Sequence, residues 1–218
     1  MSIMPAKSSK NAEIIRPILR GRDIKRYKAD FADLWLLNVH NGTPLSDPIN
    51  IDDYPDIKEY LDLFYSGLEK RQDKGITPYN LRSCIYMDDF SKQKIVWGEI
   101  SDKSKFALDD SGRYPEATTF LMTGENLKYL LAILNSKLGE FAFNQIGTKT
   151  GMGTNRWKKY TLESFFVKVP SKEEKNLIEM LVDKILIDAN EQNIASLDNA
   201  IYRIYHLSEE EIMFIEAQ

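Results

Sequence analysis

The segment from Gly147 to Pro170, GTKTGMGTNRWKKYTLESFFVKVP, constrains the fold most, because a flexible basic stretch runs directly into an apolar one. Its first part, residues 147–160, contains four Lys/Arg, three glycines and no acid. Glycine allows the backbone to turn tightly and to approach a ligand closely. Residues 165–169 are mostly apolar and stop at Pro170, which is typical of a buried strand that ends there. The pattern predicts a basic loop anchored on a rigid strand.

Two interpretations of this basic loop stay open. Taken alone, a run of exposed charges is usually a solvated surface loop. A nucleic-acid contact would use the cations together with the flat faces of Trp157 and Tyr160, which lie among them. Trp157 could instead belong to the core, and Gly151 and Gly153 could serve only to shape the turn.

The charge distribution separates these interpretations better than the net charge of −4 does. Residues 10–28 hold seven Lys/Arg against two acids, a net charge of +5, and residues 147–160 add +4. Residues 171–218 hold eleven acids against four Lys/Arg, a net charge of −7. An acidic body with two basic patches suits focused binding of a polyanion, because the acidic faces repel it elsewhere.

Composition also limits the compartment and the class of protein. No apolar run is long enough to span a membrane, and the first residues, MSIMPAKSSKNAE, lack the apolar core of a signal peptide. Cys84 is the only cysteine, so an internal disulfide and a cysteine zinc site are both excluded. A cytoplasmic protein that does not contact a membrane is therefore expected.

Local patterns predict the order of the elements. Apolar residues at helical spacing predict an amphipathic helix at residues 55–71. Short β-branched and aromatic runs, separated by turn-forming segments, predict a β-rich region at residues 82–122. Thr123 is a candidate N-cap for a helix from about Glu125 to Lys137.

The last fifty residues are helical in pattern. Ser171 and Ser208 each begin a capping box, with a glutamate three residues later. The predicted fold is α+β: a flexible leader at residues 1–13, a mixed β-rich body with packed helices at 14–170, and a C-terminal helical unit at 171–218 packed on that body. The side chains expected to pack it there are Leu177, Leu181, Ile185, Ile194, Leu197 and Ile201.

The sequence offers little material for catalysis. His40, His206 and Cys84 have no neighbouring pattern that suggests a triad, and a structural role is expected for each. Gly151-Met152-Gly153 lacks the preceding strand and third glycine of a dinucleotide fingerprint. No clustered carboxylates suggest a metal site. We therefore expect no catalytic and no metal-binding residue in this chain, and a binding function.

Several segments, in this order, resemble one family. They are Ile18 to Tyr27 (ILRGRDIKRY), Tyr54 to Arg71, Lys94 to Ser101 (KIVWGEIS), Thr118 to Leu138, Gly151 to Pro170, and Leu197 to Ile212. Together they resemble the TaqI-like C-terminal specificity domain of type IIG restriction-modification enzymes and related adenine-specific DNA methyltransferases. The resemblance covers roughly Ile14 to Ile212.

The resemblance implies an α+β target-recognition domain that binds a short sequence of double-stranded DNA. It would work beside a methyltransferase/nuclease domain or subunit, whose methyltransferase part binds S-adenosylmethionine and flips an adenine out of the duplex. This sequence contains neither the N-P-P-Y-type motif nor the glycine-rich cofactor loop of that catalytic part. No cofactor is therefore expected in this chain, which is a fragment of a longer enzyme or a free-standing subunit. The alternative function is a protein-interaction module that docks a partner through the helices at 172–205.

The candidate DNA contacts lie in two segments. In the N-terminal motif, Arg22 and Arg26 are candidates for phosphate or for the partner domain, unless they are simply solvated. Asn155 and Arg156, nearer the glycine turn, are candidates for reading bases, because asparagine suits adenine and arginine suits guanine. The other donors of the loop are Lys149, Thr150, Lys158 and Lys159, of which the last two suit phosphates. The region around Lys103 and Lys105 is the next candidate.

Overall fold

The computed structural model describes residues 9–218. The strands are β1 (Ile15–Leu19), β2 (Ile24–Lys25), β3 (Lys28–Ala29), β4 (Trp35–Leu37), β5 (Lys94–Gly98), β6 (Ile100–Ser101), β7 (Phe106–Asp109), β8 (Tyr114–Pro115), β9 (Thr119–Met122), β10 (Thr148–Lys149) and β11 (Asn155–Arg156). The α-helices are α1 (Pro55–Asp62), α2 (Tyr65–Lys70), α3 (Leu127–Asn135), α4 (Lys137–Ile146), α5 (Lys159–Glu163), α6 (Lys172–Ile187), α7 (Glu191–Ile204) and α8 (Glu209–Glu216). The fold is α+β, as predicted. Within the described residues, no helix combines the length and apolarity that crossing a membrane requires.

The chain forms two compact units. The first contains the described residues up to Ile18, together with Asp33–Lys92 and Gly112–Tyr114. The second contains Leu19–Ala32, Gln93–Ser111 and Pro115–Gln218. The second unit therefore holds the basic segment at residues 147–160 and the part of the N-terminal basic segment from Leu19 to Lys28.

The first unit is built on a small apolar core. In it β1 and β4 pair antiparallel, with Ile15 opposite Leu37. The buried core residues are Ile14, Val39, Ile51, Tyr54 and Ile57. A 3-10 helix at Ser9–Ile14 precedes β1.

The second unit is built on a three-stranded antiparallel sheet in the order β7-β5-β9. Its central strand, β5, is almost entirely buried, and Ile95 pairs with Leu108 on one side and Met122 on the other. Helix α3 packs on this sheet, α6 packs against α3, and α7 packs against α6. Trp157 is buried in the same core, stacked on Phe143 with ring centroids 3.7 Å apart. Trp157 therefore belongs to the core, which was one of its two predicted roles.

Three predicted elements need correction. The helix expected at residues 55–71 is two helices, α1 and α2, and only Ile57 of its apolar stripe is buried. The cap of α3 is Asn126, with φ of 59°, rather than Thr123. The strand expected at residues 165–169 does not form: the segment has no strand pairing, and Phe166 and Val169 are exposed. Only Phe165 and Val167 of this apolar run pack on the core, so the run is neither fully buried nor paired.

The C-terminal helices begin where the capping boxes predicted. The side chains of Ser171 and Ser208 each accept a hydrogen bond from the backbone N–H of the glutamate three residues later. The carboxylate of that glutamate accepts a hydrogen bond from the backbone N–H of the serine. The α6 face contains the expected Ile185, with Ile178 and Val182, all buried, but Leu177 is exposed. Of the other side chains expected to pack these helices, Leu197 and Ile201 are buried, and Leu181 and Ile194 lie partly buried against the core.

The predicted domain limits differ from the compact units of the structure. Helices α6 to α8 belong to the same unit as the β5 sheet. Of the predicted leader, residues 1–8 lie outside the described residues. Residues 9–13 form most of the first 3-10 helix, where Asn11 is buried and its Nδ2 donates to Asp56 Oδ2 at 2.9 Å.

Candidate nucleic-acid interface

The basic loop at residues 147–160 contains a β-hairpin. Strands β10 and β11 pair antiparallel, with Thr148 opposite Arg156. Thr150 Oγ1 accepts hydrogen bonds from the backbone N–H of Met152 and of Thr154, and this fixes the turn between the strands. Gly153 adopts a φ of 83°, a conformation that glycine takes without steric cost. Gly153 therefore shapes the turn, and the exposed side chain of Met152 lies at the tip.

Strand β11 attaches this hairpin to the rest of the second unit. It pairs antiparallel with β6, so that Arg156 lies opposite Ile100. The backbone N–H of Trp157 then donates to Glu99 O at 2.7 Å, and Trp157 Nε1 donates to Ser101 O at 3.1 Å. Because Trp157 is buried, these bonds hold the base of the hairpin in a fixed register.

Glu99 stands at the centre of the basic side chains. Its Oε1 lies 3.4 Å from Arg156 Nη1 and 3.5 Å from Lys158 Nζ. The side chains remain partly exposed, Arg156 at 39% and Glu99 at 29%. Arg156 and Lys158 therefore point toward one shared carboxylate at the surface.

Two glycines bring the N-terminal basic motif to the same place. A Cβ on Gly21 would lie 3.2 Å from the Cα of Gly98, so the two backbones touch where only glycine fits comfortably. Gly21 begins a 3-10 turn that ends at Asp23, and Arg22 is the exposed residue between them. The hydrogen bond from Arg20 lowers the pKa of Asp23, so this carboxylate stays charged and holds the turn.

A groove of about 260 Å³ lies between these segments. It is lined by Gly21, Arg22, Ile24, Gly98, Glu99, Ile100, Ser101, Lys105 and Thr118. Lys105 forms an ion pair of 2.7 Å with Asp102, whose pKa this hydrogen bond lowers. We call this region, together with Arg156 and Lys158 beside it, the basic groove. It unites the two basic segments with a third cation-bearing segment around Lys105.

Several predicted contacts lie elsewhere. Asn155 was expected near the turn, but it occupies the middle strand and is only 5% exposed; its Nδ2 donates to Asn144 Oδ1 at 2.7 Å. This burial argues against a base-reading role. Lys159 begins α5, outside the groove, and lies 3.5 Å from Glu163. Lys149 is exposed on β10.

Arg26 faces the helices rather than the groove. Its Nη2 lies 3.7 Å from Asp198 Oδ2, and Asp198 is buried on α7. Asp198 Oδ1 also accepts the backbone N–H of Lys137, at 3.0 Å. Arg26 thus offsets a buried charge, a structural role that the sequence did not reveal.

The residues that sequence reasoning missed are Glu99, Gly98 and Thr118. Thr118 O accepts the Glu99 backbone N–H at 3.1 Å, which makes it part of the same scaffold. Gly98 and Glu99 lie inside the KIVWGEIS motif, which the sequence singled out. The sequence did not indicate that Glu99 would contact Arg156 and Lys158. In residues 9–218, no group of three or more His, Cys, Asp or Glu side chains is arranged to hold a metal ion.

Comparison with known proteins indicates the family of this chain. No curated protein matches this chain. The family described as the TaqI-like C-terminal specificity domain matches residues 16–167, which is well over half of the chain. That match spans Arg22, Glu99, Lys105, Arg156 and Lys158. The chain therefore belongs to the TaqI-like C-terminal specificity domains, a family that suggests DNA target recognition in restriction-modification enzymes.

Proposed function

We propose that this chain recognises a short sequence of double-stranded DNA through the basic groove and the β10–β11 hairpin. It would direct a catalytic domain that is not part of this chain, in an enzyme of type IIG-like restriction-modification or adenine-methyltransferase type. That domain would bind S-adenosylmethionine and carry out the chemistry, and this chain alone would neither methylate nor cleave DNA.

The observation that carries the proposal is the convergence of distant cations on one groove. Arg22 and Arg156 are far apart in sequence, yet both lie beside the β5–β6 connection at Gly98 and Glu99. Cations gathered in one groove neutralise neighbouring phosphates, which is the largest sequence-independent part of DNA affinity. The family match points in the same direction.

The hairpin supplies an element of suitable shape for base contacts. The major groove of B-DNA admits a two-stranded β-ribbon as well as a helix. The β10–β11 ribbon carries Lys149 and Met152 on its exposed end and Arg156 at its base. Arg156 could then reach a guanine edge while Lys158 and Arg22 contact phosphates.

The experiment is a salt titration of duplex DNA binding with two matched variants. Arg22→Ala removes a cation of the groove, so the affinity for all duplexes should fall and the slope of log K against log salt should shrink by about 1. Lys25→Ala, the control, removes an equal charge three residues away, where Lys25 is exposed and paired with Asp30 at 2.6 Å. It should have little effect. Equal effects of the two variants would contradict a role for the groove.

A second candidate function rests on exposed apolar side chains of α6. Leu177, Met180 and Ile187 are exposed, and contiguous apolar surface often marks a protein contact. This favours docking of a partner subunit through the C-terminal helices, which is compatible with DNA recognition. Absence of salt-dependent DNA binding by the unaltered chain would leave the docking function as the better candidate.

A further inference from the structure

The backbone of Glu99 is fixed from both sides. Its N–H donates to Thr118 O at 3.1 Å, and its carbonyl oxygen accepts from the buried Trp157 at 2.7 Å. Glu99 directly follows β5, at the close approach of Gly98 to Gly21. Because the Glu99 backbone is fixed, only its side chain can move when a ligand enters the groove.

The carboxylate contacts of Glu99 are loose enough to exchange. Charge-assisted N–H···O bonds are usually about 2.7–2.9 Å long. The distances to Arg156 and Lys158 are 3.4 and 3.5 Å, and one oxygen serves both cations. Such partly exposed pairs contribute little energy, so a DNA phosphate can displace them. Glu99 and a phosphate would therefore compete for the same two side chains.

Arginine differs from lysine in how it can respond to this competition. A guanidinium has five N–H donors in a planar fork, and Glu99 contacts only Nη1 of Arg156. The remaining donors can bind a guanine edge while Nη1 stays on Glu99. A phosphate contact by the same guanidinium would instead bring a second anion against the Glu99 carboxylate. Base reading is thus compatible with the Glu99 contact, whereas phosphate binding at this place opposes it.

We propose that Glu99 determines specificity by orienting Arg156 for base reading and by opposing phosphate contacts that do not depend on sequence. Glu99 is a positioning residue, since it acts through Arg156 and Lys158. This inference rests on the proposed function, because it needs DNA at the basic groove.

The test compares Glu99→Gln with the unaltered 218-residue chain on two duplexes. One duplex is selected from a randomised pool by the unaltered chain, and the other is a scrambled duplex of equal length. With Gln, binding to the scrambled duplex should tighten roughly three- to tenfold, since two weak ion pairs no longer compete. For the scrambled duplex, the slope of log K against log salt should steepen by about 1 to 2. Binding to the selected duplex should not tighten equally, so the ratio of the two affinities should fall at least about threefold.

Glu163→Gln is the matched control. It makes the same change in net charge and releases Lys159, which is 74% exposed and lies outside the groove. It should tighten both duplexes by the same small factor and leave their ratio unchanged. Glu99→Asp, whose shorter side chain withdraws the carboxylate, should shift the ratio in the same direction as Glu99→Gln. A thermal unfolding midpoint shows whether each variant is folded. If Glu99→Gln does not fold, the ratio of the two affinities is measured with Glu99→Asp instead.

Three results would overturn the inference. An unchanged ratio would mean that Glu99 does not set discrimination. Weaker binding to both duplexes would mean that Glu99 only supports the fold. A loss confined to the selected duplex, with the scrambled duplex bound as before, would mean that Glu99 does not oppose the contacts that are independent of sequence. If the unaltered chain bound no duplex in a salt-dependent way, the proposed function would fail as well, which separates that case from the other three.

Discussion

At the scale of single residues, the N-terminal motif shows how similar side chains take different roles. Arg22 and Arg26 lie four positions apart in one basic segment. Arg22 is exposed at the basic groove, whereas Arg26 lies against buried Asp198. The charge count of the segment therefore overstates its supply of DNA contacts.

Asp198 gives a prediction about pH. Burial raises its pKa above the ordinary value of 3.8, although the backbone N–H of Lys137 and the charge of Arg26 act in the opposite direction. Between the unfolded and the folded pKa, the folded state therefore holds more protons than the unfolded chain. The stability that this group contributes is fully present below the unfolded pKa and is lost as the pH rises through the folded pKa.

Asp198→Asn should remove this loss, because an amide does not ionise and can still accept the Lys137 N–H. The free energy of unfolding of the variant, minus that of the unaltered protein, should grow as the pH rises from about 4 to 7. The growth is about 1.4 kcal/mol for each unit by which the folded pKa exceeds the unfolded one. Urea unfolding at several pH values measures it. A difference that stays constant or shrinks over this range would contradict the assignment.

At the scale of elements, substitutions on the two faces of α6 show which face is buried. Ile178 is 0% exposed and neighbouring Leu177 is 45% exposed. Ile178→Ala should lower the free energy of unfolding by about 2–5 kcal/mol, because it leaves a cavity in the core. Leu177→Ala, the control, should cost less than about 1 kcal/mol, since the site is already half open to water. Chemical denaturation of both variants gives the comparison, and equal costs would show that the face is misassigned.

Local signals predicted some elements correctly and failed on others for a physical reason. The capping boxes at Ser171 and Ser208 involve residues three apart, so the sequence contains the whole interaction. The apolar run at residues 165–169 contains no information about its partners, and a strand requires a partner to pair with. Helix α4 was not predicted, although Ser136 caps it by accepting a hydrogen bond from the backbone N–H of Gly139.

At the scale of the whole molecule, the unequal charge distribution carries the functional argument. The net charge of −4 alone would disfavour a polyanion partner. The basic segments at residues 10–28 and 147–160 instead contribute side chains to one groove, while residues 171–218 are strongly acidic. This arrangement concentrates the attraction of DNA at the groove.

The sequence predicted the cations of the site better than it predicted their arrangement. Arg156 and Lys158 were candidates by residue type alone. Their meeting with Glu99 depends on the pairing of β11 with β6, which joins residues more than 50 positions apart, such as Arg156 and Ile100. By residue type, Asn155 and Arg156 are both suited to base contacts, but side chains alternate along a strand, and Asn155 points into the protein.

The most direct test of the account is the effect of Arg156→Ala on sequence preference. Binding is measured on duplexes that differ from the selected one at single base pairs, in the full enzyme if the chain alone binds weakly. We predict a loss of about 1–3 kcal/mol with relaxed preference at one position. Lys158→Ala, the matched variant on the same carboxylate, should weaken all duplexes alike. If Arg156→Ala changed neither affinity nor preference, the basic groove would not be where this protein reads DNA.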